Sequence, residues 1–206
     1  MGRQGSRRFW RRRRAVAPIE RKVEGMNQEE YSLRGALRRL WTDHVVWTRA
    51  YVVAAVADAA DAPTAAERLL KNQEDIGAAV VPFYGQEGGD ALTDLLKQHI
   101  MIAVELIAAA KAGDTSRFEE QDALWTKNAE EIAELLSGAN PNWVKKDVVD
   151  ILGVHLKLTK DEAVARLEAK WEADVAAFDQ ILTEILTLSD VLADGVVKQF
   201  PDRFAA

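Results

Sequence analysis

The chain holds three histidines, and each falls on the apolar stripe of a different helical segment: His44 between Leu40 and Trp47, His99 between Leu95 and Ile102, and His155 beside Ile151 and Leu152. Asn72 between Leu69 and Ile76, Asn128 between Trp125 and Ile132, and Asp174 between Trp171 and Phe178 repeat that placement. A polar group removed from water needs a partner, so these six are expected to converge on one another or on a ligand. Neutral imidazole is the commonest transition-metal ligand, and three of them completed by water or a carboxylate suit Zn²⁺, Fe²⁺ or Mn²⁺. Helical bundles build such centres from side chains on facing helices. His44, His99 and His155 are therefore the candidate metal ligands, with Asn72, Asp75, Asn128 and Asp174 as candidates for contacting a bound cofactor or ligand.

Other chemistries fit less well. No His-x-x-x-His, Glu-x-x-His or His-Glu-x-x-His pair puts two ligands on one helical turn, which disfavours di-iron and hemerythrin-like centres. The plainest alternative is that each histidine is a core residue donating to a carbonyl, hydroxyl or carboxylate. A third reading is a small hydrolase-like enzyme using a His–Asp pair in the bundle cavity, with Asp43, Asp75, Glu105 and Asp179 as available carboxylates. The serines (Ser6, Ser32, Ser116, Ser137, Ser189) lie on no strand-to-helix elbow, so a serine nucleophile is excluded. Glycines 85, 88 and 89 follow no strand and lack the spacing and lysine of a phosphate-binding loop. Trp41, Trp47, Trp125 and Trp171 stand at helical spacing, which reads as core packing.

The elements that must position these residues are all helical. From Asn27 onward no run sustains the two-residue alternation of strands. Helix one is expected from about 28 to 58, with apolar residues on two flanks. Helix two opens after Pro63 on a Thr64-to-Glu67 capping box and ends near Val81, and residues 82–90 form a glycine-rich loop. Helix three covers about 91 to 112 and is capped by Gly113. Helix four starts on a Ser116-to-Glu119 capping box and stops at Gly138 and Pro141. A shorter helix from about 143 to 157 leads to a Thr159-to-Glu162 cap, from which the last helix runs to about Phe200. Short connections make successive helices antiparallel, so the expected fold is an all-α antiparallel bundle of four long helices plus shorter ones.

Composition sets outer limits. The 206 residues suffice for a core without disulfides, and the absence of cysteine fits a cytoplasmic, reducing compartment. The net charge of -6 divides unevenly: residues 1–25 carry nine Arg and Lys against Glu20 and Glu24, leaving about -13 on residues 26–206. That acidic body disfavours nucleic acid as a partner of the folded domain. The longest charge-free run, 76–86, is about half of what a membrane span needs, so no transmembrane span is expected. The first 25 residues read as a basic, disordered leader: either an arm for phosphate-bearing partners or a segment upstream of a start at Met26.

The strings Leu40-Trp-Thr-Asp-His-Val-Val-Trp-Thr-Arg49, Leu69-Leu-Lys-Asn-Gln-Glu-Asp-Ile-Gly77 with Pro82-Phe-Tyr-Gly85, and Leu95-Leu-Lys-Gln-His-Ile100 together resemble a group of small, uncharacterised bacterial helical-bundle proteins that carry the labels glycosyltransferase or acetylglutamate kinase. The resemblance covers most of residues 33–200 and touches His44, Asn72, Asp75 and His99. Either labelled activity would require a parallel sheet with a phosphate-binding turn, and the sequence contains neither. The expectation carried forward is a ligand- or metal-binding bundle that uses buried histidines. Its rival is a structural protein, such as a homodimer formed through the wide apolar flank of helix one.

Overall fold

The computed structural model describes residues 27–205, so the basic leader lies outside it. Five helices and one 3-10 turn account for the described chain: α1 (Gln28–Val56), α2 (Ala62–Ala112), α3 (Thr115–Ala139), α4 (Lys145–Leu167), α5 (Trp171–Gln199) and the turn Pro201–Arg203. The class is all-α, as the periodicity requires, and no described helix is long and apolar enough to cross a membrane. Asn27 caps α1 by accepting from the Glu30 N–H at 2.8 Å, and its own amide donates to the Phe204 carbonyl at 2.5 Å. The two ends of the described chain are thereby tied together.

Several expected boundaries differ from those observed. Residues 82–90 are not an open loop: helix runs on both sides of a single non-helical residue, Gly85, at φ 73° and ψ 174°. Pro82 and Gly85 break α2 into two arms, since proline removes a backbone donor and only glycine takes that φ without strain. Asp61 and Asp114, not Thr64 and Ser116, occupy the N-cap positions of α2 and α3; Asp114 accepts from the Arg117 N–H at 3.0 Å. Thr159 and Glu162 cap nothing either. α4 continues through them to Leu167, because the Thr159 hydroxyl donates to the His155 carbonyl one turn back, and Glu162 is buried against Arg49. Gly113 does supply the left-handed cap, at φ 69°.

With α2 divided, the helices pair as three hairpins: α1 with the first arm of α2, the second arm of α2 with α3, and α4 with α5. The two α2 arms meet closely where Gly77 faces Gly89. A Cβ on Gly77 would stand 2.6 Å from the Gly89 carbonyl oxygen, and one on Gly89 would stand 2.8 Å from the Gly77 oxygen. The main core runs between the hairpins and includes Leu37, Trp41, Ile76, Leu92, Leu96, Trp125, Ile132, Trp143, Leu152, Ile185, Leu188 and Leu192, and a smaller cluster gathers Val52, Ile107 and Ala163. Trp41 and Trp125 are core residues as their spacing implies, whereas Trp171 is 55% exposed and lies under the Arg166 guanidinium.

The close approach gives a direct test. Replacing Gly89 with alanine is expected to destabilise the protein by about 1–3 kcal/mol, because the added methyl can be accommodated only by separating two backbones. Gly35→Ala, at a position with nothing within 4 Å of the new methyl, should change stability little or slightly raise it. Urea denaturation of both variants checks the contrast.

Candidate functional site

The three histidines arrive from three hairpins. His44 is on α1, His99 on the second arm of α2 and His155 on α4, and they are only 3–4% exposed. Ring centroids of His44 and His155 are 5.7 Å apart, and those of His99 and His155 are 6.2 Å apart. The three imidazoles thus stand as neighbours in the core, whereas Asp174 does not join them.

Each ring is aimed by a partner on the second helix of its own hairpin. The Nδ1–H of His99 donates to Asn128 Oδ1 at 2.8 Å, and that of His155 donates to Glu184 Oε2 at 2.9 Å. His44 Nδ1 lies 3.2 Å from Gln73 Nε2. That amide nitrogen also reaches the Leu69 carbonyl at 2.7 Å and Asn72 Oδ1 at 3.2 Å, two oxygen acceptors that fix it as the NH2 end of the amide. An amide NH2 cannot accept, so a neutral His44 accepts at Nδ1 and carries its proton on Nε2, while neutral His99 keeps a lone pair at Nε2. With Nδ1 occupied on every ring, Nε2 is the nitrogen left for a ligand.

The partner follows each histidine by 29 residues in all three hairpins, and the histidines are 55 and 56 residues apart. The correspondence extends through the surroundings. Asn72 donates to the Leu40 carbonyl at 3.0 Å and Asn128 to the Leu95 carbonyl at 3.1 Å, each four residues before the hairpin's histidine. Trp41, Leu96 and Leu152 stand three residues before their histidines, and Ile76, Ile132 and Leu188 follow from the opposite helices; all six line a common cavity. The bundle is thus a threefold structural repeat, with one imidazole per repeat pointing toward the middle.

That cavity has a volume of about 40 Å³, and apart from the three imidazoles its walls are aliphatic side chains together with Trp41 and Trp143. A smaller space of about 10 Å³ lies on the other side of the rings, beside Thr48, Tyr51 and Trp125. Burial in these surroundings, reinforced for both by His155, holds the His44 imidazole well below its usual protonation range and brings His99 down to about 3. Both are neutral throughout the physiological range.

The acidic candidates lie elsewhere. Asp75 faces solvent and pairs with Lys71 at 2.8 Å. Asp43 is near Arg39, Glu105 pairs with Arg117, and Asp179 is exposed. Asp174 is buried, as its position on the stripe implies, but in a different cluster: Arg49 reaches it at 2.8 Å and Arg166 at 3.1 Å, and Arg49 also binds Glu162 at 2.5 Å. Asn128 orients His99 directly, while Asn72 touches no histidine and reaches His44 only through Gln73. Gln73 and Glu184 belong to the site and carried no signal of their own; the repeated 29-residue offset was the clue. Glu184 Oε1 and Gln73 Oε1 are buried without a hydrogen-bond partner. Among the described residues, no group of three or more His, Cys, Asp and Glu side chains is drawn together closely enough to hold a metal ion without rearrangement.

Comparison with known proteins leaves the geometry to speak for itself: no family model, no curated protein and no solved structure matches the chain.

Two pH effects of opposite sign follow. His99 refuses a proton in the folded state down to about pH 3, whereas the unfolded chain binds one near pH 6.5. Its contribution to stability is therefore lost as pH falls below about 6.5, at up to about 1.4 kcal/mol per pH unit. Urea titrations at pH 7 and pH 5 should show a shallower loss in His99→Gln than in the parent. Glu162 behaves inversely. Burial and the Asp174 carboxylate outweigh Arg49 and push its carboxyl up to about 7, so its contribution is fully present below about pH 4.5 and disappears as pH rises through 7. Glu162→Gln should gain stability relative to the parent between pH 5 and pH 8, read as a smaller drop in melting temperature.

Proposed function

We propose that the chain is a ligand-binding protein whose ligand sits among His44, His99 and His155, and that a divalent transition metal such as Zn²⁺, Fe²⁺ or Mn²⁺ is the ligand their chemistry favours. The observation that carries this reading is the provision, once in every hairpin, of a buried polar partner for Nδ1. Such second-layer hydrogen bonds orient imidazoles for coordination through the other nitrogen. The neutrality of His44 and His99 supports it, since a protonated imidazole cannot ligate. Glu184 supports it too: a carboxylate behind a ligating histidine is the usual arrangement, and a cation beyond the ring would complement its buried charge.

Coordination makes two demands on the site. Rings around a tetrahedral ion have centroids roughly 5 Å apart, given metal–nitrogen bonds of about 2.0–2.1 Å, so separations of 5.7 and 6.2 Å must contract by about an ångström. The Gln73 amide must also release His44 Nδ1 so that the proton can leave Nε2. Asn72 is placed to take over, because its Oδ1 already lies beside Gln73 and its counterpart Asn128 serves His99 in this way. A non-catalytic binding role fits better than hydrolysis, since none of the candidate aspartates contacts a histidine and the one carboxylate that does, Glu184, is held behind the ring.

The test is elemental analysis of untagged protein together with Zn²⁺, Fe²⁺ and Mn²⁺ titration. One equivalent of metal is expected in the parent, none in His99→Ala, and a loss of roughly 10–100-fold in affinity in Asn128→Leu, which keeps the ligands but removes the orienting acceptor. Protein that stays metal-free at micromolar metal while properly folded would overturn the reading.

A further inference from the structure

Two apolar spaces lie in series on one side of the histidines, and neither is required for holding a metal. The 40 Å³ chamber ends at the imidazoles and is otherwise apolar. A water molecule needs two to four polar partners, so the chamber away from the rings is a poor place for one. Next to it is a second space of about 30 Å³, and Val80, Leu92, Leu136 and Trp143 wall both. The outer walls of that second space are Tyr84, Gly88, Leu135 and Ala139, of which Ala139 is exposed and the others half-buried. The two apolar spaces thus lie in series between the surface at the α2 break and the rings, a route crossed by the side chains that they share. Tyr84 stands at its entrance with its hydroxyl donating to Gln199 and accepting from Asn140, both at 2.9 Å. A Cβ on Gly88 would press on the Tyr84 side chain, so glycine there is what leaves room beside the tyrosine.

We propose that this chamber admits a small, uncharged, apolar molecule, of the size of a diatomic gas or a two-carbon hydrocarbon, through the passage beneath Tyr84, and holds it against the three imidazoles. The volume sets the size limit, since a larger cavity of about 150 Å³ is what benzene requires. The lining sets the polarity, because any charged or strongly hydrogen-bonding solute would lose its hydration along the passage without recompense. What the molecule meets at the inner end rests on the reading of the histidines as a ligand centre; its entry does not.

Xenon is the probe. Methyl NMR spectra of the full chain under rising xenon pressure are expected to show saturable shifts at Val80, Leu92, Leu136 and Leu192 and none at surface methyls. Val80→Phe, which fills the junction of the two spaces, should weaken that response roughly tenfold or more. Should that variant fail to fold, Ala139→Trp serves instead: at an exposed position over the entrance, it should slow xenon entry and leave affinity unchanged. Absence of saturable shifts in the parent, or unaltered xenon entry in the folded variants, overturns the proposal. Metal content is measured on the same samples. Xenon binding in persistently metal-free protein would uphold the chamber and remove the metal reading, and metal without xenon would do the reverse.

Discussion

The structure depends on hydrogen-bonding three imidazoles in a part of the core whose other walls are aliphatic and aromatic side chains. A buried donor or acceptor without a partner costs about 1–3 kcal/mol, and the penalty would apply to every ring. Each hairpin meets it locally, with an amide or carboxylate from the helix that packs on the histidine's own: Gln73, Asn128 and Glu184. That solution fixes the register between the two helices of a hairpin, since a shift by one turn would separate the pair. It also explains why Asn72 and Asn128 reach back to carbonyls of the neighbouring helix, because an asparagine tied to the backbone can hold its oxygen still.

Local satisfaction alone would leave three independent hairpins. What joins them is the break at Gly85, which turns one long helix into the second half of one hairpin and the first half of the next. The arms then meet through Gly77 and Gly89 at backbone distance, and His44 and His99 line the same cavity. In an unbroken helix Gln73 and His99 would lie about 39 Å apart at 1.5 Å per residue, too far to face one core. One residue in the left-handed region thus decides whether the imidazoles converge.

The all-α class and the inward placement of His44, His99, His155, Asn72 and Asn128 were legible because they follow from apolar residues at three- and four-residue spacing. Element limits were less so. Thr64, Ser116 and Thr159 each have a glutamate three residues later, which fits a capping box, yet hydroxyls inside a helix can bond to the carbonyl one turn back, as Thr159 does. The Pro82–Asp90 segment looks like a loop from composition, and only packing between the arms keeps it helical. Asp174 shows the same limit for function: the stripe says that it is buried, but which partner meets it depends on Arg49, 125 residues away. Glu184 could have been found by sliding the chain against itself, since Lys71-Asn72 with Ile76 and Lys127-Asn128 with Ile132 recur at a 56-residue offset whose next step from Asn128 is Glu184; the same offset misses Gln73.

The distribution of charge completes the logic. Arg49, Arg166, Glu162 and Asp174 concentrate the buried charges in one cluster that closes on itself, two cations against two carboxylates. The histidine end has Glu184 as its sole contacting carboxylate, attached through a ring rather than facing the cavity. A further carboxylate facing the cavity, added to Glu184 behind His155, would favour imidazolium over the neutral ring that coordination requires. Segregating the ion cluster from the histidines is therefore what allows one core to contain both, and it leaves the space among the three rings suited to electron-pair donation rather than to charge.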